Sequence, residues 1–312
     1  MSIFAPPTPV QTTVFARLPD RLRLAKRSAW ADANKAGEVI DSFLEGPCFD
    51  AAGNLYCTDI PHGRILRVDA DGQWRVITQY DGEPNGMKVR ADGRLVITDY
   101  RRGLLLCDPL TGNIEPLLAR RHSESFRGLN DLTIASNGDI YFTDQGQTGL
   151  HDPSGRVYRL RASGRGDISG GSHQSGNLDL LLDNVPSPNG IVLDPTERVL
   201  FVAATRGNEV WRAPLQPDGG VSKVGRFVVL SGASGPDGLA MLPDGSLCVA
   251  HASLGAVFVF APSSEPLWRV VSCAGDTITN IALAGADQRT LYMTESTTGS
   301  ILRATLPSAR AE

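Results

Sequence analysis

The stretch Glu45-Gly46-Pro47-Cys48-Phe49-Asp50-Ala51-Ala52-Gly53-Asn54-Leu55-Tyr56-Cys57-Thr58-Asp59 decides the architecture, because its plan recurs along the chain. An acidic or amide residue opens a short strand, a turn follows, and an apolar run opens the partner strand ten or eleven residues later. The pairs are Glu45 with Leu55, Asn85 with Leu95, Asn130 with Ile140, Asn189 with Leu200, Asp237 with Leu247, and Asn280 with Leu291. Turn signals separate the halves: Ala52-Gly53-Asn54, Asp92-Gly93, Asn137-Gly138 and Asp244-Gly245. Gly tolerates positive φ there, and Asn or Asp can bond its own backbone. The apolar runs end at 59, 99, 144, 204, 251 and 295, in steps of 40 to 60 residues. That is the scale of a four-stranded propeller blade.

A second pair of strand-like segments follows each run, most clearly Arg64-Ile65-Leu66-Arg67-Val68 and Trp74-Arg75-Val76-Ile77 around Asp71-Gly72. No window sustains helical periodicity, and no apolar stretch is long enough to span a bilayer. A sandwich or solenoid would also suit short strands, but closure hides the edges that an open array exposes. The expected fold is therefore all-β, a six-bladed β-propeller with four-stranded antiparallel blades around a central metal-containing tunnel. It reads as one domain over 1–312. An N-terminal extension over 1–40 is placed to latch the last blade, with Thr12-Thr13-Val14-Phe15-Ala16 beside Ser300-Ile301-Leu302-Arg303-Ala304-Thr305. The longest step holds a Gly/Ser-rich stretch and is read as a surface insertion over 163–177.

Composition narrows the function. The net charge of −4 and the lack of a long basic block argue against nucleic acid. The locally basic Arg17–Arg27 segment, interrupted by Asp20, reads as a solvated surface. Five cysteines, four of them inside apolar strand segments, and no secretory signal at Met1–Val10 point to reduced thiols in a cytoplasmic protein. Neither a membrane nor a nucleic-acid partner is expected; oligomeric state stays open. No Gly-x-Ser-x-Gly elbow or phosphate-cradling loop supports serine-hydrolase or nucleotide chemistry.

If the repeats surround an axis, Glu45, Asn85, Asn130, Asn189, Asp237 and Asn280 converge there. Asn-Gly and Asp-Gly are also ordinary turn dipeptides, but Glu45-Gly46, Asn130-Asp131 and Asn280-Ile281 keep a side-chain oxygen while breaking the turn rule. An all-oxygen ring suits a hard divalent cation, Ca²⁺ first, with Mg²⁺, Mn²⁺ and then Zn²⁺ behind it. Counting outward from the turns sets Glu45 opposite Asp59, Asn85 opposite Asp99 and Asn130 opposite Asp144, so the loops beyond them share one functional face. On that face His151 and Arg127, with Asn85 and Asn130 of the ring, are candidate substrate contacts. Asp59, Asp99, Asp144 and Glu295 are expected to bond loop backbone and orient the ring. His251 reads as a buried histidine rather than a ligand to a second tunnel ion.

Glu45-Gly46-Pro47, Gly128-Leu129-Asn130-Asp131, Ser187-Pro188-Asn189-Gly190 and Gly235-Pro236-Asp237-Gly238-Leu239 resemble signatures of the gluconolactonase, regucalcin (senescence marker protein) and luciferin-regenerating-enzyme family. The resemblance covers the chain from about residue 40 on. It implies a divalent-metal-dependent hydrolase that opens a lactone, with Glu45, Asn130, Asn189 and Asp237 as metal ligands. Asn130 also resembles a substrate contact, and Asp237 resembles the catalytic general base or nucleophile. The ion would polarise the lactone carbonyl and Asp237 would activate water. Rival readings are a phosphotriesterase of diisopropyl-fluorophosphatase type and a non-enzymatic calcium-binding propeller.

Overall fold

The computed structural model describes residues 4–162 and 177–307; the insertion expected over 163–177 lies outside them but for Asn177. Six four-stranded antiparallel blades surround an axis as a β-propeller. The innermost strands are Leu44–Phe49, Pro84–Val89, Leu129–Ile134, Pro188–Leu193, Pro236–Met241 and Ile278–Ala284. Each packs against the next, and the sixth returns to the first, so the ring closes. Their partners are Leu55–Asp59, Leu95–Asp99, Ile140–Asp144, Val199–Ala204, Leu247–His251 and Thr290–Glu295.

Both ends of the described chain contribute to closure. Strand β1 (Thr8–Gln11) runs parallel to Pro266–Val271 as a fifth strand of the fifth blade. Strand β2 (Thr13–Arg17) then pairs antiparallel with Ser300–Thr305 and completes the sixth blade. Three strands from the end of the chain are thereby joined by one from its start, which removes an open sheet edge. The core is a set of layers between blades. Val96, Leu104, Leu132 and Phe142 join the second and third blades, and Cys248, Val257, Ile281 and Met293 join the fifth and sixth. Such strands alternate between two neighbouring blades, so both faces are apolar.

Short helix α1 (Ala29–Asn34) was not expected, since six residues are too few to show a period. Ser28 caps it by accepting from the Ala31 N–H at 3.2 Å, and Trp30 packs its ring 4.7 Å from that of Phe43. In the basic segment before it Arg17, Arg21, Lys26 and Arg27 are exposed as expected, and Arg23 alone departs from that reading. Arg23 donates to both carboxylate oxygens of Asp41 at 3.1 Å and to the Thr298 carbonyl at 2.8 Å. A planar guanidinium can satisfy all three acceptors at once, and it fastens the extension to the disc. The four strand cysteines are buried, Cys273 is exposed, and all five are free. Among the described residues no helix is long and apolar enough to cross a membrane.

Candidate metal centre

Every innermost strand carries a bulge near its start, where two residues face one on the partner strand. The bulged pairs are Asn85-Gly86, Asn130-Asp131, Asn189-Gly190, Asp237-Gly238 and Thr279-Asn280, and in the first blade Gly46-Pro47, one residue further on because Glu45 still pairs with Thr58. A bulge twists the strand and re-aims side chains, here toward the axis. It also corrects the hairpin count. Asp59 opposes Leu44, Asp99 opposes Pro84 and Asp144 opposes Leu129, one residue earlier than expected.

The bulge also corrects the sixth ring member. Ile278 takes the ladder position of Leu44 and Pro84, so Thr279, not Asn280, is equivalent to Glu45 and Asn85. Thr279 donates its hydroxyl to the Leu44 carbonyl at 2.8 Å, which engages it in the wall. Asn280 instead belongs to the second column, where four blades have glycine. A Cβ on Gly46 would collide with the main chain at Asn85, one on Gly86 with Asp131, and one on Gly238 with the Asn280 side chain. Glycine is therefore a steric requirement of the close approach between blades.

The two side chains in that column are Asp131 and Asn280, from blades on opposite sides of the ring. Asn280 Nδ2 donates to Glu45 Oε2 at 2.9 Å and to Asp131 Oδ2 at 3.2 Å. The Ile281 N–H donates to Asn280 Oδ1, which orients the amide. Glu45 Oε2 also accepts the Gly46 N–H at 2.6 Å, and Asp131 Oδ1 accepts that of Leu132 at 2.8 Å. Asn189 hydrogen-bonds Asp237. Asn130 donates to Gln145 Oε1 at 2.9 Å, whose own Nε2 donates to Ser187 Oγ at 3.0 Å.

Three buried carboxyls thus share one site. Burial, and then the charge of Asp131, pushes Glu45 up to about 7. Burial, followed by Glu45 and Asp131, holds Asp237 well above the ordinary carboxylate range. Burial likewise raises Asp131, while the Lys88 ammonium pulls it and Glu45 back down. Like charges in a dry site disfavour ionisation, and an added cation reverses that. The amide oxygens of Asn85 and Asn189 are buried without a hydrogen-bond partner among the described residues. An orphaned buried carbonyl costs about 1–3 kcal/mol. Three carboxylates with orphaned amide oxygens fit a hard divalent ion. Among the described residues no trio of His, Cys, Asp or Glu is placed to hold an ion by itself, so a cation here would need the amide oxygens as well.

The strand ends brace this ring. Asp59 accepts the Phe43 N–H, Asp99 that of Glu83 and Asp144 that of Gly128, each just ahead of the same blade's innermost strand. Glu295 holds Thr297 and Thr298. His251 is fully buried against Phe258, and burial lowers its pKa against the opposing pull of the Ser231 main chain.

On the loop face, at the third and fourth blades, lies a cavity of about 540 Å³ bordered by Asn34, Gln145, His151, Ser187 and Arg206. Its floor at Gln145 is one hydrogen bond from Asn130. Ser187 there adopts φ 63°, a strained value for a non-glycine residue, held by its N–H on Thr148 Oγ1 at 3.1 Å. His151 borders this cavity, whereas Arg127 turns to Asp152 at 3.7 Å and is not part of the lining. Asp131, Gln145, Asn34 and Arg206 were not singled out from sequence. The one available signal was Asp131 itself, which stands where most other blades have glycine.

A family model described as the SMP-30/Gluconolactonase/LRE-like region matches residues 43–297. The chain belongs to this family. It is similar to lactonase drp35 of Staphylococcus aureus strain MRSA252, 27% identical over 253 residues, covering 78% of this chain and 72% of that protein. Two solved structures share the family fold. A gluconolactonase from Xanthomonas campestris superposes with a TM-score of 0.72 at 23% identity, covering 98% of this chain and 99% of that one. Regucalcin from Agrobacterium tumefaciens C58, described as a calcium-binding protein, gives 0.73 at 19% identity, with 95% of each chain covered.

Proposed function

We propose that this chain is a divalent-cation-dependent lactonase that opens a cyclic ester to its hydroxy acid. The observation that carries the reading is the meeting of Glu45, Asp131 and Asp237 beside the orphaned amide oxygens of Asn85 and Asn189. Family membership and the lactonase relatives support an ester ring as the substrate.

Glu45, Asp131, Asn189 and Asp237 would hold the ion, with Ca²⁺ favoured because every donor is an oxygen. When bound, a divalent cation supplies Lewis-acid polarisation of the ester carbonyl. Asp237 can accept a proton from the water that attacks the carbonyl carbon. The carbon–oxygen bond of the ring then breaks, and the ring oxygen takes a proton to leave as an alcohol. Asn130, held by Gln145, whose own side chain borders the cavity, would position the lactone ring. Burial keeps bulk water from competing for these groups.

A hydrolysis screen over aldonolactones, alkyl lactones and a phosphotriester tests the reading, with and without chelator. Lactone opening that chelator abolishes and Ca²⁺ restores is expected. Phosphotriester turnover without lactone turnover would overturn it.

A further inference from the structure

The cavity on the loop face is mostly polar, with Leu150 its one aliphatic side chain, but it is electrically lopsided. Its lining contains no carboxylate, and its one permanent charge is the guanidinium of Arg206. Arg206 follows the second strand of the fourth blade, in the turn Thr205–Gly207, and is exposed. Among the described residues its guanidinium has no ion pair or hydrogen bond. Most other arginines on this face are engaged: Arg101 with Asp81, Arg127 with Asp152, and Arg64 with Asp59. The Arg206 side chain packs along the Gly149 turn, next to His151. It lies near enough to Asp237 for its charge to be felt there. Helix α1 adds Asn34 to the same lining from outside the stretch that matches the family.

We propose that Arg206 makes this site selective for lactones that carry a carboxylate on the ring substituent, with the acid group on Arg206 and neighbouring hydroxyls on Asn34 and His151. The inference rests on the lactonase reading. A guanidinium offers a planar pair of donors that matches a carboxylate, and such charge-assisted bonds are stronger than neutral ones. The reaction stays the same: water adds at the carbonyl carbon, the ring carbon–oxygen bond breaks, and the product is a hydroxylated dicarboxylate. A neutral lactone would leave Arg206 unpaired beside its substituent.

The experiment uses the cation-loaded full chain and two five-membered lactones identical but for a terminal alcohol or a terminal carboxylate. The wild type should favour the carboxylate form about tenfold in kcat/KM at low salt, and the preference should shrink as salt screens it. Arg206→Met should bring the ratio near one, mainly through KM for the acidic lactone, and Arg206→Lys should keep part of it. Calorimetric titration with the dicarboxylate product should show the same order. A wild-type preference for the alcohol form, or an Arg206→Met variant that slows both lactones equally, overturns the inference and leaves the lactonase reading standing. Failure of the wild type on both lactones and on the wider screen removes the lactonase reading, and this inference with it.

Discussion

Thr143 Oγ1, on the second strand of the third blade, donates to the main-chain oxygen of Asn189 in the fourth at 2.9 Å. The same hydroxyl accepts the N–H of Asp131 at 3.0 Å. One buried side chain therefore ties two residues of the candidate site together across a blade boundary. Thr58 repeats the first bond to the Asn85 carbonyl at 2.7 Å, which explains why threonine recurs before the terminal aspartate of these strands. Thr143→Val keeps the shape but orphans both backbone groups. We expect a loss of roughly 1–3 kcal/mol in stability, with Tm falling several degrees, and weaker cation binding. Calorimetric unfolding with and without Ca²⁺ checks this; an unchanged Tm in both would show that water replaces the hydroxyl.

Asp131 contributes one of three carboxyl charges and accepts from Asn280, so its effect is separable from its size. Asp131→Asn should weaken divalent binding about tenfold or more, comparable to Glu45→Gln, while the propeller stays folded. Competition titration against a chelating dye measures it. Removing the like charge should also lower the Glu45 pKa in the cation-free protein. Wild-type affinity in Asp131→Asn would make the residue structural.

Much of the fold was legible because a propeller repeats its instructions. Runs such as Leu95-Val96-Ile97-Thr98-Asp99 mark a buried second strand, and its companion begins at Asn85. The site was legible only to one residue. A bulge changes which side chain faces inward without leaving a mark on spacing, so Asn280 was counted in the wrong column and Asp131 was passed over. Arg206 and Asn34 lie on connections, where composition carries no period. Arg23 looked solvated because Asp41 and Thr298, its partners, are distant in sequence or contribute only a carbonyl.

The Glu45 pKa has a consequence for the cation-free protein. Its folded value, about 7, lies above an ordinary 4.5, so the folded state binds the extra proton between those values. Stability should therefore fall as pH rises from about 4.5 through 7, by roughly 3 kcal/mol from this group. Saturating Ca²⁺ should reverse the slope, because the ion binds the deprotonated carboxylates and binds them better at higher pH. Chelated samples unfolded by denaturant at pH 5, 6, 7 and 8 test the sign. A cation-free stability that climbs across this range would contradict the buried, carboxylate-coupled site.

Asp237→Asn separates proton handling from ion holding. The amide keeps one oxygen for the cation and its hydrogen bond with Asn189, but cannot accept a proton. We expect kcat to fall about 10²-fold or more, the scale for loss of a general base, with a smaller fall in bound cation. Base and nucleophile roles differ in where solvent oxygen goes. In ¹⁸O-water, a single turnover labels the product if water attacks the carbonyl directly. If Asp237 attacks first, the label enters its carboxylate and reaches product only in later turnovers. Near-wild-type turnover by Asp237→Asn would remove Asp237 from the chemistry. Asp131 would then be the next residue to test, since it is the remaining buried carboxyl whose charge both Glu45 and Asp237 feel.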